Sequence, residues 1–337
     1  PTGGHLHQAD GTAWMAIYCL QLLAIALELA HERPAYEDVA TKFFEHFIYI
    51  ADAFYTKLGR GDSLWDETDG FFYDILHHNG STTPVKIRSL VGLIPLIAVL
   101  PIEAETLERL PRFKRRMQWF IRYRPQLVER IASLTRPGQE GRLLLALAPE
   151  EKLLRIFRRM FNEDEFLSPY GIRALSKEHE ANPYRFSVNG DEHVVRYEPA
   201  ESSSSLFGGN SNWRGPIWFP LNYLFVEALE MYDHYYGDAL TVEYPQGSGA
   251  QRTLKEIAAD LSDRLCQIFY RADESGRRPV LGPHPLFAGE EWSDRLLFYE
   301  YFHGDDGSGV GASHQTGWTA LVASLLQRYP RRAIKRD

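Results

Sequence analysis

Apolar residues recur three or four positions apart along most of the chain, which is the spacing of amphipathic helices. A first helix is predicted over residues 11–31, with Asp10 or Thr12 as its N-cap. Its apolar face is formed by five recurring positions: Trp14, Tyr18, Leu22, Ile25 and Leu29. Pro34 opens a second helix over residues 35–57, because proline is tolerated in the first helical turn. The spacing predicts further helical stretches over residues 88–100, 101–133, 149–161, 216–236, 254–270 and 313–328.

Residues 162–215 interrupt this pattern and predict irregular chain with short extended pieces, including residues 192–197. About eight helices remain, with little strand and no alternation of strand and helix, so we predict an all-α fold in one domain over residues 1–337. Helix pairs alternate with three elaborate loops, at residues 64–74, 198–218 and 298–315. In a ring of helix hairpins, these loops fall at one end, where a pocket can form.

Composition narrows the possible partners. The chain carries 37 basic and 45 acidic residues, a net charge of −8, which argues against nucleic acid as the main partner. Residues 109–136 are a local exception, with nine Lys or Arg and one acid. This stretch is either a patch for RNA or acidic lipid or a solvated outer helix, and the absence of a nucleic-acid-binding motif favours the helix.

Other whole-chain features point to an ordinary globular protein. Cys19 and Cys266 are expected to be buried free thiols. The best candidate for a membrane span, residues 87–100, is too short and contains Pro95, so no membrane span is expected. The first residues lack the features of a signal peptide, and the cytoplasm is the default expectation. We also predict no cofactor and no metal.

Candidate chemistry is densest in residues 207–218, which read FGGNSNWRGPIW. Asn212 and Arg214 offer hydrogen-bond donors, while Trp213 and Trp218 offer flat apolar faces beside the start of a helix. This combination suits a neutral, polyhydroxylated ligand such as a sugar. The alternative is a capped turn with both tryptophans packed in the core, but Asn and Arg among buried aromatic residues need partners. We therefore favour a sugar-binding site.

The loop at residues 64–74 combines acids with aromatic residues. It does not fit a calcium loop, because placing Gly70 at the required glycine puts Trp65 at the first ligand position. A turn at residues 68–70 that leads into a short strand is the plain alternative. Asp66, beside Trp65, stays a candidate for binding sugar hydroxyl groups.

Glu300 lies among four aromatic residues in the third loop and is followed by His314 and Gln315. A carboxylate in such surroundings is either a group for acid–base chemistry or a buried structural partner of an arginine, and the sequence leaves both open. Asp10, at the start of the first helix, is similarly either an N-cap or a site carboxylate.

Taken together, these segments resemble glycoside hydrolase family 63, which includes processing α-glucosidases and mannosylglycerate hydrolase-like enzymes. The resemblance rests on residues 212–218, on residues 299–301 followed by Gly304, and on residues 315–318. It extends more loosely to residues 8–11 and 65–74. It implies an (α/α)6 toroid of twelve helices, of which this chain would supply about eight, and inverting hydrolysis of an α-glycosidic bond.

The resemblance also implies roles for individual residues. Glu300 matches the general base, and the matching general acid is an aspartate placed upstream of this chain. Two alternatives stay open: Asp10 is itself the acid, or the chain binds sugar without cutting it. The substrate would be an oligosaccharide or small α-glycoside, with neither nucleic acid nor membrane as partner. The expected substrate-binding residues are Trp14, Trp65, Asp66, Asn212, Trp213, Arg214, Trp218, His314 and Gln315.

Overall fold

A computed structural model describes residues 4–55, 63–128, 134–188, 190–204, 214–271, 276–292 and 294–330. Its α-helices are α1 (Ala9–Ala30), α2 (Tyr36–Tyr55), α3 (Ala104–Arg109), α4 (Pro111–Tyr123), α5 (Pro125–Val128), α6 (Glu150–Met160), α7 (Glu178–Ala181), α8 (Phe219–Tyr236), α9 (Leu254–Gln267), α10 (Thr316–Thr319) and α11 (Val322–Arg328). The predicted helical character is confirmed; the (α/α)6 toroid, of which this chain would supply about eight of twelve helices, stays a prediction.

Short antiparallel strands occupy the connections between helices. They are β1 (His5–His7), β2 (Trp65–Asp66), β3 (Phe71–Phe72), β4 (Asp74–His78), β5 (Ser81–Val85), β6 (Val99–Ile102), β7 (Leu143–Ala146), β8 (Leu167–Ser168), β9 (Gly171–Ile172), β10 (Tyr184–Val188), β11 (Asp191–Val195), β12 (Thr241–Glu243), β13 (Gln251–Thr253), β14 (Tyr301–Phe302) and β15 (Gly309–Val310). The largest sheet in the described part of the chain has three strands, in the order β1-β4-β5.

The chain divides into two compact units. The first unit comprises Pro1–Phe157 and Ala228–Val242, and the second unit comprises Arg158–Glu227 and Glu243–Asp337. The prediction of a single domain over residues 1–337 stays a prediction. The two cysteines are free, as expected; Cys266 is buried as predicted, whereas Cys19 is only half-buried.

Helix α1 forms as predicted, but it buries the opposite face. Tyr18 and Ile25, both placed on the core face by sequence, are each 55% exposed, whereas Ile17, Leu20 and Leu23 are buried. The reason is that α1 is apolar around its whole circumference, so its periodicity does not select one face. For the same reason, α1 has the length and composition of a membrane span. It has 22 residues, and its most apolar 18-residue stretch has a mean hydropathy of 1.8 and is 44% buried within the protein. The expectation that no stretch is long enough was therefore wrong.

The predicted helix over residues 88–100 is also wrong. The chain instead makes two 3-10 turns, Leu90–Gly92 and Ile94–Ile97, and then enters β6, which pairs with β7. Ser89 caps the first turn by accepting a hydrogen bond from the Val91 N–H. Pro95 lacks the N–H that a continuous helix needs at that position. A buried apolar run of this length fits a turn and a strand as well as a helix.

Candidate active site

Two of the three loops singled out in the sequence meet in the second unit. Ile217 forms antiparallel bridges with Phe302 on one side and Arg173 on the other. The Ile217 N–H donates to the Phe302 carbonyl at 2.7 Å, and the Phe302 N–H donates back at 3.0 Å. Because β14 pairs with β15, the segments form a ladder in the order β15, β14, Ile217 and Arg173. This ladder places Trp218 and Glu300 on neighbouring segments.

Glu300 immediately precedes β14 and is held by the returning chain after β15. Its N–H donates to the Ala312 carbonyl at 2.8 Å, and its Oε2 accepts from the Ala312 N–H at 3.3 Å. Gly311 has φ +74, and a Cβ there would lie 2.9 Å from Glu300 Oε2, so a side chain would crowd the carboxylate. Among the described residues, no arginine or lysine pairs with Glu300. The alternative interpretation of Glu300, a buried structural partner of an arginine, is therefore not what the described residues show. The Glu300 carboxylate is therefore half-buried and held by the backbone of the returning chain.

An aromatic stack lies beside this carboxylate. The rings of Trp218 and Tyr301 are stacked with centroids 5.1 Å apart, and Trp318 packs against Trp218 at 5.7 Å. Trp218 is only 8% exposed, whereas Trp318 is 40% exposed. Protein atoms therefore cover most of Trp218, and Trp318 offers the open indole. Sequence reasoning did not include Trp318 among the site residues, although the motif at residues 315–318 contains it.

The Tyr301 hydroxyl connects the stack to a second carboxylate. It donates to Glu201 Oε2 at 3.1 Å. Burial raises the pKa of Tyr301 above its usual value, and the charges of Glu201 and Glu300 raise it further, so the phenol stays protonated as a donor. Glu201 was missed in the sequence because a single glutamate in a serine-rich loop carries no pattern.

Arg214 is almost completely buried, at 2% exposure. Burial lowers the pKa of its guanidinium, which the charge of Glu198 partly opposes. The Arg214 carbonyl accepts from the Glu198 N–H at 2.7 Å, and its guanidinium donates to Ser204 Oγ at 3.5 Å. The side chain is therefore directed into the second unit. Asn212 and Trp213, which precede it, lie outside the described residues.

His314 and Gln315 lie on the strand-like segment beside Glu300. Phe298 and His314 form a parallel bridge, and the Gln315 N–H donates to the Phe298 carbonyl at 2.7 Å. His314 is exposed and Gln315 is half-buried. The two residues predicted from the motif thus follow the Glu300 hairpin and precede α10.

The other predicted carboxylate, Asp10, lies in the first unit, within the first turn of α1. It does not cap the helix: α1 begins at Ala9, whose N–H donates to Asp74 Oδ1 at 2.7 Å. Burial raises the pKa of Asp10, against a hydrogen bond from the Gly11 N–H. Burial raises the pKa of Asp74 to about 6; the Ala9 N–H lowers it and the charge of Asp10 adds to the rise. Sequence reasoning missed Asp74, the last residue of a loop that it had singled out for Asp66.

The remaining candidates of the first unit have other neighbours. Trp14 is half-buried next to Tyr18, with ring centroids 6.3 Å apart. Trp65 is buried against Phe72 at 4.8 Å, with the Lys152 ammonium 4.3 Å from its ring. Both indoles are therefore partly or wholly occupied by protein contacts.

Asp66 is engaged in its own loop. It accepts from the N–H groups of Thr68 and Asp69 at 3.0 and 2.8 Å and pairs with Lys86 at 2.7 Å. Burial opposes ionisation, but the Lys86 hydrogen bond and charge and these N–H groups outweigh it and lower the pKa of Asp66. The predicted turn into a short strand, β3, is confirmed. Sugar binding by Asp66 stays a prediction.

Comparison with known proteins agrees with these motifs. The family model of the mannosylglycerate hydrolase MGH1-like glycoside hydrolase domain matches residues 142–319. The uncharacterized protein YMR196W of Saccharomyces cerevisiae is 49% identical over 341 residues, covering 97% of this chain and 31% of that protein. The mannosyl-oligosaccharide glucosidase of the same yeast is 26% identical over 188 residues, 55% of this chain and 16% of that enzyme. This chain thus spans less than a third of either relative.

A solved structure of GH63 mannosylglycerate hydrolase from Thermus thermophilus, in complex with glucose, aligns with a TM-score of 0.45 and 14% identity. The alignment covers 96% of this chain and 45% of that one. The family model alone matches more than half of the chain, and it includes the ladder, Glu300 and the aromatic stack. The chain therefore belongs to the MGH1-like glycoside hydrolases, and the resemblance to glycoside hydrolase family 63 is confirmed.

Proposed function

We propose that the chain carries the general base of an inverting α-glycoside hydrolase and that Glu300 is this base. The observation that supports it most is the carboxylate of Glu300, which lies beside an aromatic stack and is held by a backbone N–H instead of a cation in the described part of the chain. In an inverting enzyme, such a carboxylate removes a proton from the attacking water.

The reaction also needs a general acid that protonates the leaving oxygen. The two carboxyl groups of inverting enzymes stand roughly 6.5–9.5 Å apart, which leaves room for the water. The family resemblance points to an aspartate outside this sequence. Asp10 is the alternative within the chain, and its raised pKa suits a group that must hold a proton. The names of the relatives favour an α-glucoside or a related α-mannoside as substrate.

The sugar ring would be held by aromatic faces and by the polar groups of residues 212–218. Of the described residues, Trp318 is the best placed for this role because its indole is partly open and it adjoins Trp218. His314 and Gln315 would donate to sugar hydroxyl groups from the segment beside Glu300. The apolar face of a pyranose packs on an indole through the same contacts that bury other apolar surfaces.

The test is Glu300→Gln in the full-length protein, assayed on a panel of α-glucosides and on mannosylglycerate. We expect kcat to fall by about 10³-fold, within the range for loss of a general base, while sugar affinity is kept because the amide preserves the shape. Glu291→Gln, at an exposed glutamate of the same unit, is the matched control and should leave kcat unchanged.

Unchanged hydrolysis by Glu300→Gln would remove Glu300 as the base. A wild-type protein that binds sugars of the panel and cleaves none would instead support the non-catalytic, sugar-binding alternative.

A further inference from the structure

A buried cation that the proposed chemistry does not use lies at the far end of the ladder. Arg173 is 4% exposed, and all of its guanidinium nitrogens donate. Nε donates to the Tyr197 hydroxyl at 3.1 Å, and one terminal nitrogen donates to the Glu163 and Leu167 carbonyls at 3.1 and 2.5 Å. The other terminal nitrogen donates to Asp305 Oδ1 at 3.0 Å. A buried charge is costly unless it is fully paired, so this geometry is closely specified.

The anionic partner belongs to the tip of the β14–β15 hairpin. Asp305 Oδ1 also accepts from the Tyr197 hydroxyl at 3.1 Å, and the Lys177 ammonium lies 3.7 Å away. Burial opposes ionisation of Asp305, but the hydrogen bond and charge of Arg173 outweigh it and hold its pKa below the usual value. Arg173, Tyr197 and Asp305 thus form a closed triangle of contacts, here called the anchor triad.

The hairpin needs such an anchor because its own pairing is minimal. Each strand contributes two residues, and hairpins of this size have little stability by themselves in water. The tip is closed by the His303 N–H, which donates to the Ser308 carbonyl at 2.7 Å, and the Gly304 N–H donates to the Pro199 carbonyl at 2.8 Å. The base of the same hairpin holds Glu300.

The anchor triad also joins the ladder at its other edge. The backbone of Arg173 bridges Ile217, which in turn bridges Phe302 of β14. The hairpin is therefore tied to Arg173 twice, by the ladder through its middle and by Asp305 at its tip. Because the tip and the base belong to one short hairpin, we expect a displacement of the tip to shift Glu300 and Tyr301 at the base.

We propose that Arg173, Tyr197 and Asp305 are positioning residues. They hold the β14–β15 hairpin in the position at which Glu300 acts as the base beside the Trp218–Tyr301 stack. The inference rests on the proposed role of Glu300 for its catalytic consequence, but not for its structural one. An error of about 1 Å in the placement of a catalytic group can cost about 10²-fold in rate.

The experiment compares Asp305→Asn and Tyr197→Phe with Lys177→Met in the full-length protein. Asp305→Asn keeps the acceptor and removes the charge, while Tyr197→Phe removes one hydroxyl and keeps the ring. Both substitutions are conservative, so these variants are expected to fold even if Arg173→Ala does not. Lys177→Met is the matched control, since that ammonium is the outermost contact of Asp305.

Two readouts are needed: hydrogen exchange of peptides covering residues 298–312, and kcat and KM on the substrate cleaved by the wild type. We expect exchange in this segment to accelerate about tenfold in both triad variants, with the rest of the second unit unchanged. We expect kcat to fall about tenfold to 10²-fold while KM changes less than threefold. Lys177→Met should match the wild type in both readouts.

The outcomes separate this inference from the proposed function. If Glu300→Gln keeps its activity, the proposed function fails, and hydrogen exchange still decides whether the triad holds the hairpin. Unchanged exchange over residues 298–312 in both triad variants overturns the inference whatever the activity. Faster exchange throughout the second unit overturns it as well, because the triad would then serve the stability of the whole unit. Unchanged kcat in both triad variants, where Glu300 is essential, also overturns it, because the triad would then not position Glu300.

Discussion

Each unit holds one carboxyl group that the sequence suggested for glycoside hydrolysis, Glu300 in the second unit and Asp10 in the first, yet the surroundings of these two groups differ. In the second unit, Glu300 is half-buried and accepts one hydrogen bond from a backbone N–H. In the first unit, Asp10 and Asp74 lie close enough to repel each other, and burial raises the pKa of both. A general acid must carry a proton at the working pH, so the surroundings of Asp10 in the first unit suit an acid.

The aromatic residues of the two units also differ, in how far their rings are buried. Trp65 of the first unit is buried and lies under a lysine, so its ring completes a core. In the second unit, the stack runs from buried Tyr301 through Trp218 to the exposed Trp318. In this stack, two buried rings support a third ring whose face is open to solvent. Residue type alone therefore does not show whether a tryptophan ring is covered or open to solvent; its burial in the structure does.

The largest expected effect is a loss of stability on truncation of a tryptophan in the Tyr301–Trp218–Trp318 stack. Trp218→Ala should lower the free energy of unfolding by about 4 kcal/mol, because truncation of a buried tryptophan leaves a cavity. Trp318→Ala should change it by less than about 1 kcal/mol but weaken sugar binding about tenfold, because the exposed ring has little packing to lose. Urea unfolding and calorimetric titration with glucose measure the two quantities. Equal loss of stability in both variants would show that Trp318 is also a core residue.

The next prediction tests Asp10 as the acid. Asp10→Asn in the full-length protein should lower kcat about 10²-fold on a substrate with a sugar leaving group if Asp10 protonates it. On a glycosyl fluoride the loss should nearly vanish, because fluoride departs without protonation. Hydrolysis of both substrates is followed by release of free sugar. The same loss on both substrates would exclude Asp10 as the acid and favour an aspartate outside this chain.

The motifs of the second unit could be predicted because they are local. Residues 298–302 and 314–318 are short continuous runs in one loop and the helix start that follows it, so each run can be recognised from the sequence, and the structure joins them through the Phe298–His314 bridge. The Arg173–Asp305 contact could not be predicted, since 132 positions separate the two residues and nothing in the sequence pairs them. Likewise, the raised pKa of Asp74 comes first from burial and then from the charge of Asp10, against the Ala9 N–H, and the pairing of β1 with β4 that brings these residues near could not be predicted.

Helix positions were predicted better than helix faces. The start of α9 carries a complete capping box between Thr253 and Glu256, and its amphipathic pattern leaves one solution. In α1, apolar residues surround the axis, and the face with small alanines packs against the protein while the bulky Tyr18 and Ile25 face outward. Periodicity measures contrast between faces, so a helix without contrast gives no orientation.

The smallest expected effect concerns Asp74 and depends on pH. Its folded pKa of about 6 lies above its usual 3.8, so the folded state binds more protons than the unfolded state between those values. Stability therefore falls as pH rises through this window, by about 3 kcal/mol for a shift of this size at most. Asp74→Asn keeps an acceptor for the Ala9 N–H but cannot ionise. Its free energy of unfolding should match the wild type near pH 4 and exceed it by about 2 kcal/mol near pH 7.5.

Asp66 of the same unit is the matched control, because Lys86 and two N–H groups hold its pKa below the usual value. Its contribution to stability is present above its unfolded pKa and is lost as pH falls, so Asp66→Asn should destabilise the protein at pH 7.5 and matter less near pH 3. Urea unfolding across this range measures both difference curves, in which the other titrating groups cancel. Curves of opposite sign would establish that one unit holds both a strained and a stabilised carboxylate. A flat Asp74→Asn curve would mean that the folded protein does not raise the pKa of Asp74.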